Sequence, residues 1–142
     1  MKSLPRHATE HDAAAVAALL GELGYPTGEA QARDRIREAL ADPAACVLVA
    51  ENDAKVVGLL AGCIGAYFPN GSRLFRITAL VAAAPRRGTG VGRTLVERAI
   101  EWAASRGCAG VELTTGEQRE GAHAFYERLG FKRTSRRYLR KL

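Results

Sequence analysis

The stretch Leu80–Arg93, LVAAAPRRGTGVGR, passes from a strand-like run into a helix and places glycines at 88, 90 and 92. A helix N-terminus carries unpaired N–H groups and a partial positive charge, so such a junction can hold phosphate. Glycine lets the backbone approach phosphate oxygens without a Cβ between them. Arg86, Arg87 and Arg93 add positive charge beside it. A Gly-rich turn before a helix is also a common structural device, so spacing has to decide. A Walker A loop or a G-x-G-x-x-G dinucleotide fingerprint starting at Gly88 needs glycine at 93, which is arginine. Both readings fail.

Outward from the loop, Leu95, Val96, Ala99, Ile100 and Ala103 make one stripe of a helix from about Gly90 to Arg106, with Gly107 as its stop. Before it come strand-like runs at Cys46–Glu51, Lys55–Ala66 and Ser72–Val81, the first two joined by a turn at Asn52-Asp53-Ala54. Three strands before the first crossover helix do not make a Rossmann unit. Val16, Leu19, Leu20 and Leu23 form a helical face behind a Thr9/Asp12 capping box. A second helix from about Glu29 to Leu40 has Ile36 and Leu40 inward. Val111–Thr115 reads as a short strand and Gly121–Leu129 as a short helix. Gly130 then gives a left-handed cap and Phe131 its apolar contact. A last strand is expected in the basic tail. The order is ααβββαβαβ, an α+β or mixed α/β domain around one sheet, with residues 1–142 as a single domain.

The spacing Arg87-x-x-Gly90-x-Gly92 resembles the pyrophosphate loop of the GNAT superfamily of acetyl-CoA-dependent N-acyltransferases. Ala79-Leu80-Val81 is similar to the end of that family's central strand. Residues 122–131, AHAFYERLGF, resemble its second cofactor motif, A-x-x-F-Y-x-x-x-G-F. The resemblance implies a single mixed, mostly antiparallel sheet with helices on both faces, whose neighbouring parallel strands, about 74–82 and 110–115, splay apart. It places the pantetheine arm of acetyl-CoA in that gap, paired with backbone groups of Leu80 and Val81. Amides of Arg87, Gly88, Thr89, Gly90, Val91, Gly92 and Arg93 would hold the pyrophosphate, with Arg86 and Phe125 alongside.

Acyl transfer to an amine needs a neutral amine, a stabilised oxyanion and a protonated leaving thiolate. A lysine-like amine has a pKa of about 10.4, so a general base is useful near neutral pH. The resemblance makes Tyr126 the acid and the Val81 amide the oxyanion donor; the competing reading of Tyr126 is packing beside Phe125 and Leu129. The family's strand-borne Glu is replaced by Thr78, which puts a direct carboxylate base in doubt. Glu112, facing opposite to Val111 and Leu113, is the alternative base, against a salt bridge with an arginine. Glu117, in the next loop, is a weaker candidate. Where the family often has a cofactor-contacting Asn, this chain has Arg119.

Composition sets bounds. The net charge is +6, but residues 132–142 hold six Lys or Arg and no acid, and the remainder is neutral with 15 of each sign. That tail reads either as a solvated edge strand or as attraction for an anionic ligand. No aromatic interleaving supports nucleic acid. Cys46, Cys63 and Cys108 have neither disulfide nor metal spacing, fitting a reducing compartment. No metal is expected. Without a signal sequence or a membrane-length apolar run, the expected location is cytoplasmic. The acceptor, an amine of a small molecule or protein, is expected between the first two helices, the Tyr67–Ser72 loop and the last strand, with Tyr67, Phe68 and Arg73 as candidates. A homodimer could use that strand's exposed edge. The competing function is a non-catalytic acyl-CoA-binding module.

Overall fold

A computed structural model describes residues 3–114 and 120–142. The chain runs β1 (Leu4–His7), α1 (Ala13–Leu23), α2 (Glu29–Leu40), β2 (Ala45–Asn52), β3 (Lys55–Tyr67), β4 (Ser72–Ala82), α3 (Val91–Ser105), β5 (Gly110–Leu113) and α4 (Glu120–Arg128). The sheet order follows the sequence, β1-β2-β3-β4-β5; only the β4–β5 pair is parallel. Two apolar layers sandwich it. Leu48, Leu60, Phe75 and Ile77 meet Leu95, Val96 and Ala99 of α3 on one face. Val49, Leu59 and Val81 meet Val16 and Leu19 of α1 and Ile36 of α2 on the other. Alternation along β2 and β3 thus feeds both faces, the condition for helices on each side.

The structure adds a strand at the front. Leu4–His7 pairs antiparallel with β2, and Pro5 is tolerated because β1 is an edge strand. Arg6 reaches both carboxylate oxygens of Asp12 at 2.9 Å. Asp12 also accepts the Thr9 N–H at 2.8 Å, so the expected capping box doubles as a tie from β1 to α1. The expected strand in the basic tail does not form. Residues 132–142 carry no strand and are exposed; six like charges and no alternating apolar face leave nothing to bury there. The strand edge envisaged for a homodimer is therefore not formed in the tail. Two inward assignments also fail. Leu40 is 59% exposed and Ile100 38% exposed, because α2 and α3 bury narrower stripes than their apolar periodicity suggests. The three cysteines are free.

Candidate active site

The parallel strands part where the sequence places the gap. β4 pairs with β5 over Leu74–Ile77 against Gly110–Leu113, and β4 then continues to Ala82 without β5 beside it. On its other edge β4 stays paired with β3, but the register shifts: Gly62 opposes Ile77 and Ala61 opposes Ala79, leaving Thr78 as the extra residue of a bulge. Gly62 is required opposite it. A Cβ there would collide with the Arg76 carbonyl oxygen and lie 2.7 Å from Phe75 Cζ.

Beyond the bulge the backbone direction is fixed. Ala83 N–H donates to Val57 O at 2.8 Å, toward β3. Alternation turns the Val81 N–H the same way, into the pairing with Leu59, and turns the Leu80 and Ala82 polar groups toward the open side. Arg87 Nε donates to Ala82 O from that side at 3.3 Å. This corrects the expected Val81 oxyanion donor, whose amide faces away from the gap, and brings in Ala82. The one-residue bulge inverts the phase that a motif alone suggests.

The loop after β4 turns through a short 3-10 segment, Ala84–Arg86, and enters α3 at Gly90. Gly88 and Gly90 have φ of +80° and +93°, the left-handed region that glycine tolerates best. Within the loop the Arg87 and Thr89 amides are used, donating to Ala84 O and Arg86 O, each at 3.3 Å. Among the described residues the amides of Gly88, Gly90, Val91, Gly92 and Arg93 have no backbone acceptor. Five amides at a helix N-terminus, flanked by the Arg86, Arg87 and Arg93 side chains, suit a pyrophosphate in charge and donor count. Val91 itself is core, so only its backbone is available. Arg93 Nε contacts Glu97 at 3.3 Å. A residue that the motifs missed holds the loop: Glu22 of α1 accepts the Ala84 N–H at 2.9 Å and approaches Arg87 at 3.5 Å. Nothing local in the sequence couples positions 22 and 84.

The second motif docks on the first. A Cβ on Gly92 would lie 3.3 Å from Phe125 Cζ, so the glycine lets α4 pack on the first turn of α3. Tyr126 follows, half-buried, with its ring 5.2 Å from Phe125 and 5.9 Å from Phe131. Of the packing partners expected of it, Phe125 is beside it, and Phe131 joins from beyond the helix. Tyr126 and Glu112 line one cavity of about 1260 Å³ with Arg76, Thr114, His123 and the start of the tail. Glu112 stands opposite Arg76 in the register and pairs with it at 3.2 Å, half-exposed. The salt-bridge reading of Glu112 is therefore present alongside its position in the cavity. Tyr67, Phe68 and Arg73 are exposed and not part of this wall. Arg119 and Glu117 lie outside the described residues. Among the described residues no group of three His, Cys, Asp or Glu is placed to hold a metal. No helix among them is long and apolar enough to cross a membrane.

A mixed sheet with a parted parallel pair beside an amide-lined loop defines the class: an acyltransferase fold. The model of the acetyltransferase (GNAT) family matches residues 13–131, and the chain belongs to that family. It is 33% identical over 138 residues to an aminoalkylphosphonate N-acetyltransferase of Salmonella typhimurium, covering 96% of this chain and 90% of that one. Among solved structures it superposes on a transcriptional regulator from Bacillus halodurans with a TM-score of 0.89, 30% identity and 99% coverage of both chains. A putative acetyltransferase from Agrobacterium tumefaciens gives 0.87 at 28% identity, covering 97% of this chain and 99% of that one.

Proposed function

We propose that this acyltransferase moves the acetyl group of acetyl-CoA to a primary amine of a small molecule, by direct attack in a ternary complex. The observation that carries the reading is the end of β4 beyond its pairing with β5, leading into five loop amides that have no backbone acceptor among the described residues. In this reading the open Leu80 and Ala82 backbone pairs with the pantetheine arm as another strand would. The loop amides from Gly88 to Arg93, with Arg86 and Arg87, hold the pyrophosphate, and Phe125 fixes α4 against them. The Salmonella relative is named for aminoalkylphosphonates, which supports a small-molecule acceptor over a protein.

The amine nitrogen attacks the thioester carbonyl; a C–N bond forms and the C–S bond breaks. Glu112, directly or through water, takes the proton the nitrogen loses, and Arg76 steadies the carboxylate. Tyr126 meets the leaving sulfur. A phenol near pKa 10 facing a thiol near 8.5 makes full transfer uphill by about 2 kcal/mol, so a hydrogen bond that strengthens as the thiolate develops is the efficient use of Tyr126.

The test is titration calorimetry with acetyl-CoA, with NAD as comparison, followed by thiol-release kinetics for Tyr126→Phe. Expected are selective acetyl-CoA binding, affinity in the variant within several-fold, and turnover slowed by about 10- to 10⁴-fold. No acetyl-CoA binding by folded protein overturns the reading. Unchanged turnover with chemistry rate-limiting removes Tyr126 from its role.

A further inference from the structure

We propose that the cavity between β5, α4 and the C-terminal chain selects an acceptor whose amine is accompanied by a phosphonate or phosphate group, held by the tail arginines. The inference rests on the acetyl-transfer reading and adds the chemistry of the acceptor. Its basis is where the charge goes. The chain's whole net positive charge resides in residues 132–142, and four of those six exposed cations, Lys132, Arg133, Arg136 and Arg137, border one cavity. Arg76 makes a fifth, against two carboxylates, Glu112 and Glu127.

Among the described residues only Arg76 of these five has a carboxylate partner, Glu112 at 3.2 Å. Arg133 instead contacts His123 Nδ1 at 3.2 Å. Like charges that border one concavity repel one another, and a dianion placed among them offsets that repulsion. Guanidinium groups also match phosphonate oxygens in forked geometry. The tail cations are exposed, and four of them border the same cavity as Tyr126 and Glu112. Glu112 then faces the ammonium end of the same molecule, so one small zwitterion answers both signs in the cavity. An amine with an uncharged tail would satisfy Glu112 and leave the tail cations without an anion.

The experiment compares 2-aminoethylphosphonate, β-alanine and propylamine: a dianionic, a monoanionic and an uncharged tail on short amines. Thiol-release kinetics are measured for the wild type, an Arg136→Gln/Arg137→Gln double variant, Arg76→Gln and Arg76→Lys. The wild type is expected to prefer the phosphonate to propylamine by about 100-fold in kcat/KM, with β-alanine between, and the preference should shrink as salt rises. The double variant should raise KM for the phosphonate by roughly 10- to 100-fold, the loss of charge-assisted contacts, while propylamine moves by less than about threefold on the same scale. Arg76→Gln should slow all three amines through its hold on Glu112 and slow the phosphonate most, with Arg76→Lys recovering both; a preference unchanged in Arg76→Gln would take Arg76 out of the anion's site. Equal kcat/KM for phosphonate and propylamine overturns the inference and leaves acetyl transfer standing. Should acetyl-CoA fail to bind, calorimetry with 2-aminoethylphosphonate alone still decides the cavity: heat abolished in the double variant upholds it, no heat in the wild type overturns it.

Discussion

Replacing Gly62 with alanine tests whether the β4 bulge shapes the cofactor gap. The added methyl would sit 2.7 Å from Phe75 Cζ and nearer still to the Arg76 carbonyl oxygen. Neither neighbour can swing aside. Phe75 is fully buried and packed edge-on to Trp102 with centroids 5.4 Å apart, and the carbonyl belongs to a central strand. The backbone of β3 or β4 must move, an overpacking cost of about 1–3 kcal/mol. For a chain of 142 residues the unfolding entropy makes each kcal/mol worth about 3 °C, so Tm should fall by roughly 3–10 °C. The displacement falls on Arg76–Thr78, where β4 and β5 separate, so acetyl-CoA affinity should fall with it, by about tenfold for each 1.4 kcal/mol of lost complementarity. The control is Gly65→Ala on the same strand, where a Cβ meets nothing within 4 Å; its effect should stay within about 0.5 kcal/mol. The assays are thermal melts by circular dichroism and calorimetric titration with acetyl-CoA. A Gly62→Ala protein that melts and binds like Gly65→Ala would refute the link between this glycine, the bulge and the gap.

Two other perturbations separate loop from scaffold. Gly90→Glu puts a carboxylate and a Cβ at φ +93° beside the loop amides and should abolish acetyl-CoA binding while the fold persists; tight binding would mean the loop has been assigned wrongly. Asp12 is held below the usual carboxylate range by its hydrogen bonds to the Arg6 guanidinium, with burial opposing and the Thr9 amide assisting. A depressed folded pKa stabilises above the unfolded value of about 3.9 and is lost as pH falls through the folded value. Asp12→Asn should therefore cost roughly 1–2 kcal/mol near pH 7, with the gap in Tm to wild type closing below about pH 4; a gap independent of pH would deny the ion pair its role.

Much of the scaffold was legible because its signals are local. The 3.6-residue stripe places Leu95, Val96, Ala99 and Ala103 in the core. The turn expected at Asn52-Asp53-Ala54 forms between β2 and β3, narrowed to Asp53 and Ala54, with φ of +51° and +61°, because Asn52 pairs with Lys55. Gly130 at φ +91° caps α4, and Phe131 N–H bonds back to Tyr126 O at 3.0 Å. The loop glycines were legible for the same reason, since a short motif states its own backbone demands. β1 was not: four residues containing a proline carry too little pattern, and their partner β2 lies some forty positions away.

The sequence by itself determined the element types around the loop, the two motifs that resemble the family's cofactor motifs, and the neutral body with a cationic tail. Only the tertiary structure decided which way those features face. The side of β4 on which each amide points depends on an odd residue at Thr78, which is a bulge only in the company of Gly62 and β3. The Arg76–Glu112 pair depends on a parallel register between strands more than thirty residues apart. The tail shows only charge in the sequence; the structure puts four of its exposed cations at the border of one cavity beside β5 and α4. Periodicity fixes phase along one element, whereas the meeting of elements is set by packing between residues distant in the chain.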